Sequence, residues 1–494
     1  MKDLVCCVDM GTSRIKAALL DATGGLRAVA SAPSTAAQRR DQPAEFDADT
    51  CFVILSRTIR AALRQVRGAR NRIAAVAVAS QRATVVPVGP DGRPAGHALS
   101  WQDTRGESEV RRFLRRFGRA RFTRITGLPP GALWSLSKIL WFQREHPGAA
   151  ASARYVLLHD YVLCRLGAHY FVTDPSNASL TGLFDTHRLA WSEPLVRAAG
   201  LAPSRLPVLA AAGSQAGRVS AAAARATGLK AGTPLVVGGG DQQCAALGIG
   251  ALDPGQASLC LGTAAVVACP VRRPAIDPRG RFFCTVHAVR SRWVLEGIHN
   301  TFGACIRWAR TLLQMNTGDE FLHMARKSRP GAKGLLFLPF LAGIGTPDFD
   351  ARTRAAMLGM GLSHRIGDIA RAILEGTSLE LRRVVAALEQ RVRARTLIVT
   401  GGEIARPLRM QVLADLLGRN LLLNRTPDAT LVGTAILAWT GAGRFRTVRE
   451  AAHACSGRRA IRVNAMLPAA ESARYYRRYG RAVAQLRRMG ATDG

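Results

Sequence analysis

No stretch of this 494-residue chain reaches about 18 uninterrupted apolar residues, so nothing in it reads as a membrane span. The apolar run between Met1 and Met10 is too short for a secretory leader, and the expected compartment is the cytoplasm. Metal-type Cys-x-x-Cys pairs are missing: the ten cysteines are scattered, as buried thiols in a reducing compartment would be. Acidic residues are scarce, 34 against 69 basic ones, and nearly all the basic residues are arginine. A net charge of +35 favours polyanions in general. The arginines are nonetheless spread along the whole chain, and aromatics make up only 6% of it. No interleaved basic–aromatic motif for nucleic acid is visible, so no specific nucleic-acid partner and no membrane partner are expected. Val110–Arg121, with its repeated arginines, reads as a solvated helix face. The length calls for two domains or more.

The stretch that organises the rest is Pro234–Leu247. A short buried strand runs into Gly238-Gly239-Gly240, then Asp241, then a helix of small residues. Glycines permit a tight turn and a close approach by another molecule. Asp241 has two readings at such a turn. It caps the helix, or it accepts a proton from a substrate hydroxyl.

Earlier in the chain, Leu4–Val8, Ile15–Leu20 and Leu26–Ala30 read as a meander of strands with Gly11-Thr12-Ser13 at its first bend. Backbone N–H groups and hydroxyls in such a bend can bind phosphate, and Asp9 beside it can hold a hydrated Mg²⁺. Ile73–Ala79 is a buried strand followed by Gln81 and Arg82. Another apolar run ends at Trp101 and Asp103. These polar clusters at strand ends suit a polyol pocket or, more plainly, surface loops. Ser152–Leu166 is expected to be helical throughout. After Asp241 the outline repeats: strand, Gly262-Thr263, strand, then helices and a strand ending at Gly401-Gly402. Two halves with phosphate-type bends at corresponding places imply a cleft at their junction.

In combination, these segments resemble the FGGY carbohydrate kinase family, which includes glycerol kinases and xylulokinases. Asp9–Lys16 looks like its first phosphate motif, Gly238–Gln243 like the segment with the catalytic base, and Leu259–Thr263 like the second phosphate motif. Thr400–Gly402 resembles the adenosine motif. Ser135–Trp141, and Ala355–Met360 with Asp368-Ile369 and Ala372–Glu375, resemble the two signature segments. The resemblance covers nearly the whole chain, in order.

It implies an α/β protein with the two-domain actin-like ATPase (ribonuclease H-like) fold, a duplicated βββαβαβα core and an interdomain cleft. The expected domains are residues 1–247 and 248–494. It implies ATP and Mg²⁺, with Asp241 as general base and Asp9 on the metal. Gly11, Thr12, Ser13 and Lys16 would face the transferred phosphate. Gly262, Thr263, Gly303, Arg307, Gly401, Gly402 and Arg406 would contact nucleotide. Gln81, Arg82, Trp101, Asp103 and Gln242 would join Asp241 around the acceptor.

Ala83 and Leu133 stand where glycerol kinases carry a glutamate and a tyrosine, and Gln81-Arg82 stands near the Met-His of xylulokinases. The acceptor therefore stays open among ketopentoses, pentitols, tetritols and glycerol-like triols. A non-catalytic, sugar-sensing member of the same fold is the alternative. A homodimer or homotetramer is expected as the assembly.

Overall fold

A computed structural model describes residues 2–35, 44–426, 428–456 and 460–491. Two sheets organise it. The first has six strands, in the order Gln215–Arg218, Pro234–Gly240, Ile73–Ser80, Leu4–Met10, Arg14–Leu20, Leu26–Pro33. The second has seven, in the order Phe283–Val286, Trp293–His299, Ala265–Val271, Gln256–Leu261, Thr396–Thr400, Leu421–Asn424, Ala460–Val463. In each, an antiparallel meander is extended by parallel strands on the far side of its first strand. Parallel strands are covered on both faces, and they read as such: Ile73–Ser80 is buried at every position. The duplicated βββαβαβα order is therefore present in both halves.

The last helices of the two halves cross, with Cys244 and Leu247 of the first still packed on the first sheet. Asp241–Gly248 closes the first half, but Ala245, Ala246 and Ile249 pack with Ile398 and Ala429 of the second. Ala429–Gly441 belongs by sequence to the second half, yet Leu431, Ile436, Leu437 and Trp439 pack on Val5, Cys7, Ala77 and Val236 of the first sheet. Each such side chain contributes roughly 1.5–3 kcal/mol when fully buried, which anchors the helix to that sheet. The two helices cross almost backbone to backbone. A Cβ on Gly433 would lie 1.8 Å from the Cys244 carbonyl oxygen, and one on Gly248 would lie 2.0 Å from that of Ala429. Only glycine fits either place.

One expected element is corrected. Arg154–Leu157 is a strand, and the helix begins only at Leu158. Tyr155 and Val156 pair with Pro87 and Val86, and the sheet partner outweighs the helical spacing of the apolar residues. The arginine-rich stretch forms Glu107–Phe117, a break at Gly118, and Arg119–Thr126, with Val110, Phe113 and Leu114 turned inward. All ten cysteines are free. Among the described residues no helix is long and apolar enough to cross a membrane.

Candidate active site

Strand register brings the polar bends together. Asp9 stands opposite Ala79, and Ala79 opposite Gly239, on three parallel strands that end at one edge of the first sheet. The bend Gly11–Ser13, the segment Gln81–Thr84 and Asp241 therefore leave that edge side by side. In the second sheet Cys260 stands opposite Thr400, so Gly262-Thr263 and Gly401-Gly402 emerge together in the same way.

The three glycines have separate jobs. A Cβ on Gly238 would lie 1.8 Å from the Val78 carbonyl oxygen, and one on Gly240 would lie 2.4 Å from Arg82 Cδ. Gly239 is less confined, with Ser176 Oγ at 3.2 Å, and that hydroxyl accepts a 2.9 Å bond from the Gly240 N–H. Asp241 is the first helical residue, not the cap, and its Oδ1 accepts a bond from the Gln242 N–H. The Asp241 side chain is half-buried. Burial raises its pKa above the ordinary carboxylate value, Arg82 opposes the rise, and Glu296 adds to it.

Asp9 lies deeper. Its Oδ1 is buried without a hydrogen-bond partner, and its Oδ2 is 3.6 Å from Lys16 Nζ. Burial pushes its pKa up to about 7, with Lys16 opposing and Asp428 and Asp241 adding. Lys16 Nζ donates to Asp428 Oδ2 at 2.7 Å, which joins the second strand of one half to the helix start of the other. Burial alone would lower the Lys16 pKa, but Asp428 and Asp9 outweigh it and raise it. Among the described residues no three metal-ligating side chains cluster. An unpartnered, desolvated Asp9 oxygen suits a cation that keeps most of its waters, as Mg²⁺ does.

Among the residues expected at the acceptor, Trp101 Nε1 donates to Thr12 Oγ1 at 2.9 Å, and Thr12 donates to Gln81 Oε1 at 3.2 Å. The Gln81 Nε2 is buried and unpartnered. Arg82 is held by Glu296 through two bonds, at 3.0 and 2.6 Å. Asp103 is held by Arg105, with Nη2 at 2.6 Å from Oδ2. Gln242 is half-buried beside Asp241.

Among the residues expected at the nucleotide, Arg307 Nη2 donates to Thr263 Oγ1 at 3.1 Å, and the Gly303 N–H donates to the carbonyl oxygens of Gly262 and Thr263. Gly401 has φ 107°, and a Cβ there would lie 2.2 Å from the Leu261 carbonyl oxygen. Gly402 is open, with no atom within 4 Å of a built Cβ. Arg406 points aside, toward Asp319 at 3.6 Å.

Asp428, Glu296 and Cys260 were not among the sequence candidates. Asp428 reads in the sequence only as a cap, and it does cap Ala429–Gly441 through the Leu431 N–H. Glu296 was visible as a lone charge inside an apolar strand. Burial pushes the Cys260 thiol up to about 11, with Asp241 and Asp428 adding and Lys16 opposing, so the end of the second sheet's first strand lies within electrostatic reach of the acid of the first half.

Comparison with known proteins bears on the family and the fold. Residues 4–248 match the N-terminal domain of the FGGY family of carbohydrate kinases, and residues 257–442 match its C-terminal domain. A glycerol kinase from Aromatoleum aromaticum is 31% identical over 461 residues, covering 90% of this chain and 91% of its own. A gluconokinase from Bacillus subtilis is 27% identical, covering 89% and 87%. The crystal structure of a ligand-bound xylulose kinase from Lactobacillus acidophilus superposes with a TM-score of 0.89 at 24% identity, covering 99% of this chain and 98% of that one. The fold is that of the actin-like ATPases, and this chain belongs to the FGGY family of carbohydrate kinases.

Proposed function

We propose that this kinase transfers the γ-phosphoryl group of ATP to a primary hydroxyl of a small, uncharged sugar or polyol, with Asp241 as the general base. The observation that carries the reading is the position of Asp241, half-buried and beside Arg82, at the strand edge that also carries Asp9 and the Gly11–Ser13 bend. Phosphoryl transfer depends mainly on positioning and charge stabilisation. Asp241 takes the hydroxyl proton as the new bond to phosphorus forms, and burial makes it a stronger base than an exposed carboxylate. Lys16 and the N–H groups of the Gly11–Ser13 bend face the transferred phosphate. Thr263, Gly303, Arg307, Gly401 and Gly402 form the nucleotide side, and Arg406 would join them only by leaving Asp319. Asp9 would hold Mg²⁺ through water, and the bound ion would offset phosphate charge. Division of labour between residues 1–247 and 248–494 belongs to the same proposal.

An uncharged acceptor follows from the pairing of the two arginines on the segments expected at the acceptor. Arg82 and Arg105 each already hold a carboxylate. Neither cation is left to pair with an acidic sugar. The test is ADP release over glycerol, erythritol, pentuloses, hexuloses, pentitols and gluconate. Turnover with one or more neutral polyols and none with gluconate is expected; gluconate as the best acceptor would overturn the charge reasoning. The relatives named above are kinases, and nothing in them supports a non-catalytic role.

A further inference from the structure

Glu296 lies in the strand Trp293–His299 of the second sheet and is 1% exposed. Its carboxylate gathers three segments. Arg82 donates twice, at 3.0 and 2.6 Å, Gln243 Nε2 donates at 2.9 Å, and the Thr285 hydroxyl donates as well. Arg82 comes from the loop after Ile73–Ser80, and Gln243 from the helix that Asp241 begins. Glu296 is thus a carboxylate of the second half gripping both polypeptide segments that flank Asp241.

Stability alone does not account for this. Desolvating two charges offsets most of their attraction, and apolar side chains of equal volume hold buried surfaces as well or better. The pair is also admitted at a cost in sequence: Gly240 has to lack a side chain, because its Cβ would overlap Arg82 Cδ. A guanidinium clamped at both Nη atoms cannot swing, and that fixes its direction relative to Asp241.

We propose that Glu296 is a positioning residue of the acceptor site: it acts through Arg82, and by doing so makes the grip on the acceptor depend on the second half of the chain. This rests on Arg82 facing the acceptor, as in the function proposed above. The acceptor reaches Arg82 only in the orientation that Glu296 imposes. A shift of the guanidinium by about 1 Å is expected to lower kcat/KM for the acceptor about 100-fold.

The test compares Glu296→Gln, Thr285→Val, Arg82→Met and the double variant Arg82→Met with Glu296→Gln. In Glu296→Gln, acceptor KM rises while ATP KM stays within about twofold, and Thr285→Val shifts acceptor KM the same way by less. Once Arg82 is gone, Glu296→Gln changes kcat/KM by no more than about twofold, since the effect runs through Arg82. The double variant removes both charges and guards against misfolding from one unpaired ion. Amide hydrogen exchange without substrate gives a second readout: residues 81–84 and 241–243 exchange faster in Glu296→Gln and Thr285→Val. Unchanged exchange, or additive losses in the cycle, would overturn the role of Glu296. Wild-type protein inactive on every polyol would instead remove the function proposed above, while the exchange result still decides Glu296.

Discussion

Replacing Gly240 with alanine adds one methyl group where the structure has no room for it. The new Cβ would lie 2.4 Å from Arg82 Cδ, 2.8 Å from its Cγ and 2.9 Å from Gln243 Oε1. The backbone itself tolerates alanine, because Gly240 sits at φ −61° and ψ 143°. The whole effect is therefore steric. Arg82 is held at its far end by Glu296, so its chain must move about 1 Å to reach ordinary contact, or the Asp241 turn must move instead. Overpacking of this kind costs about 1–3 kcal/mol. Misplacement on that scale at a reacting site lowers kcat/KM about 100-fold. The assay is steady-state kinetics on the best acceptor together with calorimetric melting. Gly148→Ala is the control, since its methyl group would meet no atom within 4 Å and it lies in the short helix Pro147–Ala150, outside the residues assigned to either substrate. Wild-type kcat/KM and Tm in Gly240→Ala would refute the tight packing of Arg82 against the turn.

At the helix crossing, Gly433→Ala drives a methyl group into the Cys244 carbonyl oxygen 1.8 Å away, so Tm is expected to fall, and an unchanged melt argues against the crossing. Asp9 gives a pH test. Its folded pKa of about 7 lies above the ordinary 3.8, so its contribution to stability is complete below 3.8 and is lost as pH rises through 7. Without Mg²⁺, the stability of wild type relative to Asp9→Asn should fall over that interval, by at most about 1.4 kcal/mol per pH unit; parallel melting curves would contradict it. Cys260 is only partly buried and lies near Asp241 and Lys16, whereas Cys6, Cys7 and Cys244 are fully buried. Peptide mapping after alkylation should find Cys260 modified before these three, more slowly with MgADP bound, and equal labelling with and without nucleotide would count against its place in the cleft.

The fold was legible because its signals are local and repeated. Strand, Gly-Thr, strand occurs in both halves, and buried parallel strands such as Ile73–Ser80 declare themselves as unbroken apolar runs. The bends were legible too, because glycine and hydroxyl residues mark them in sequence. Pairing across the molecule was not. Lys16 with Asp428 and Arg82 with Glu296 are 412 and 214 residues apart, and no spacing rule connects them. The crossing of Asp241–Gly248 with Ala429–Gly441 was hidden for the same reason: Gly248 and Gly433 read as ordinary helix glycines until the opposing backbone is seen. The strand Arg154–Leu157 was missed because its partner, Val85–Val88, decides its state.

The central claim is that Asp241 removes the proton from the acceptor hydroxyl. Asp241→Asn keeps the size and the bond to the Gln242 N–H while removing the basic oxygen pair. Measured on the best acceptor, with nucleotide binding followed separately by calorimetry, this variant should bind ATP as wild type does and turn over about 10²–10⁴-fold more slowly. Turnover near the wild-type rate would contradict the claim.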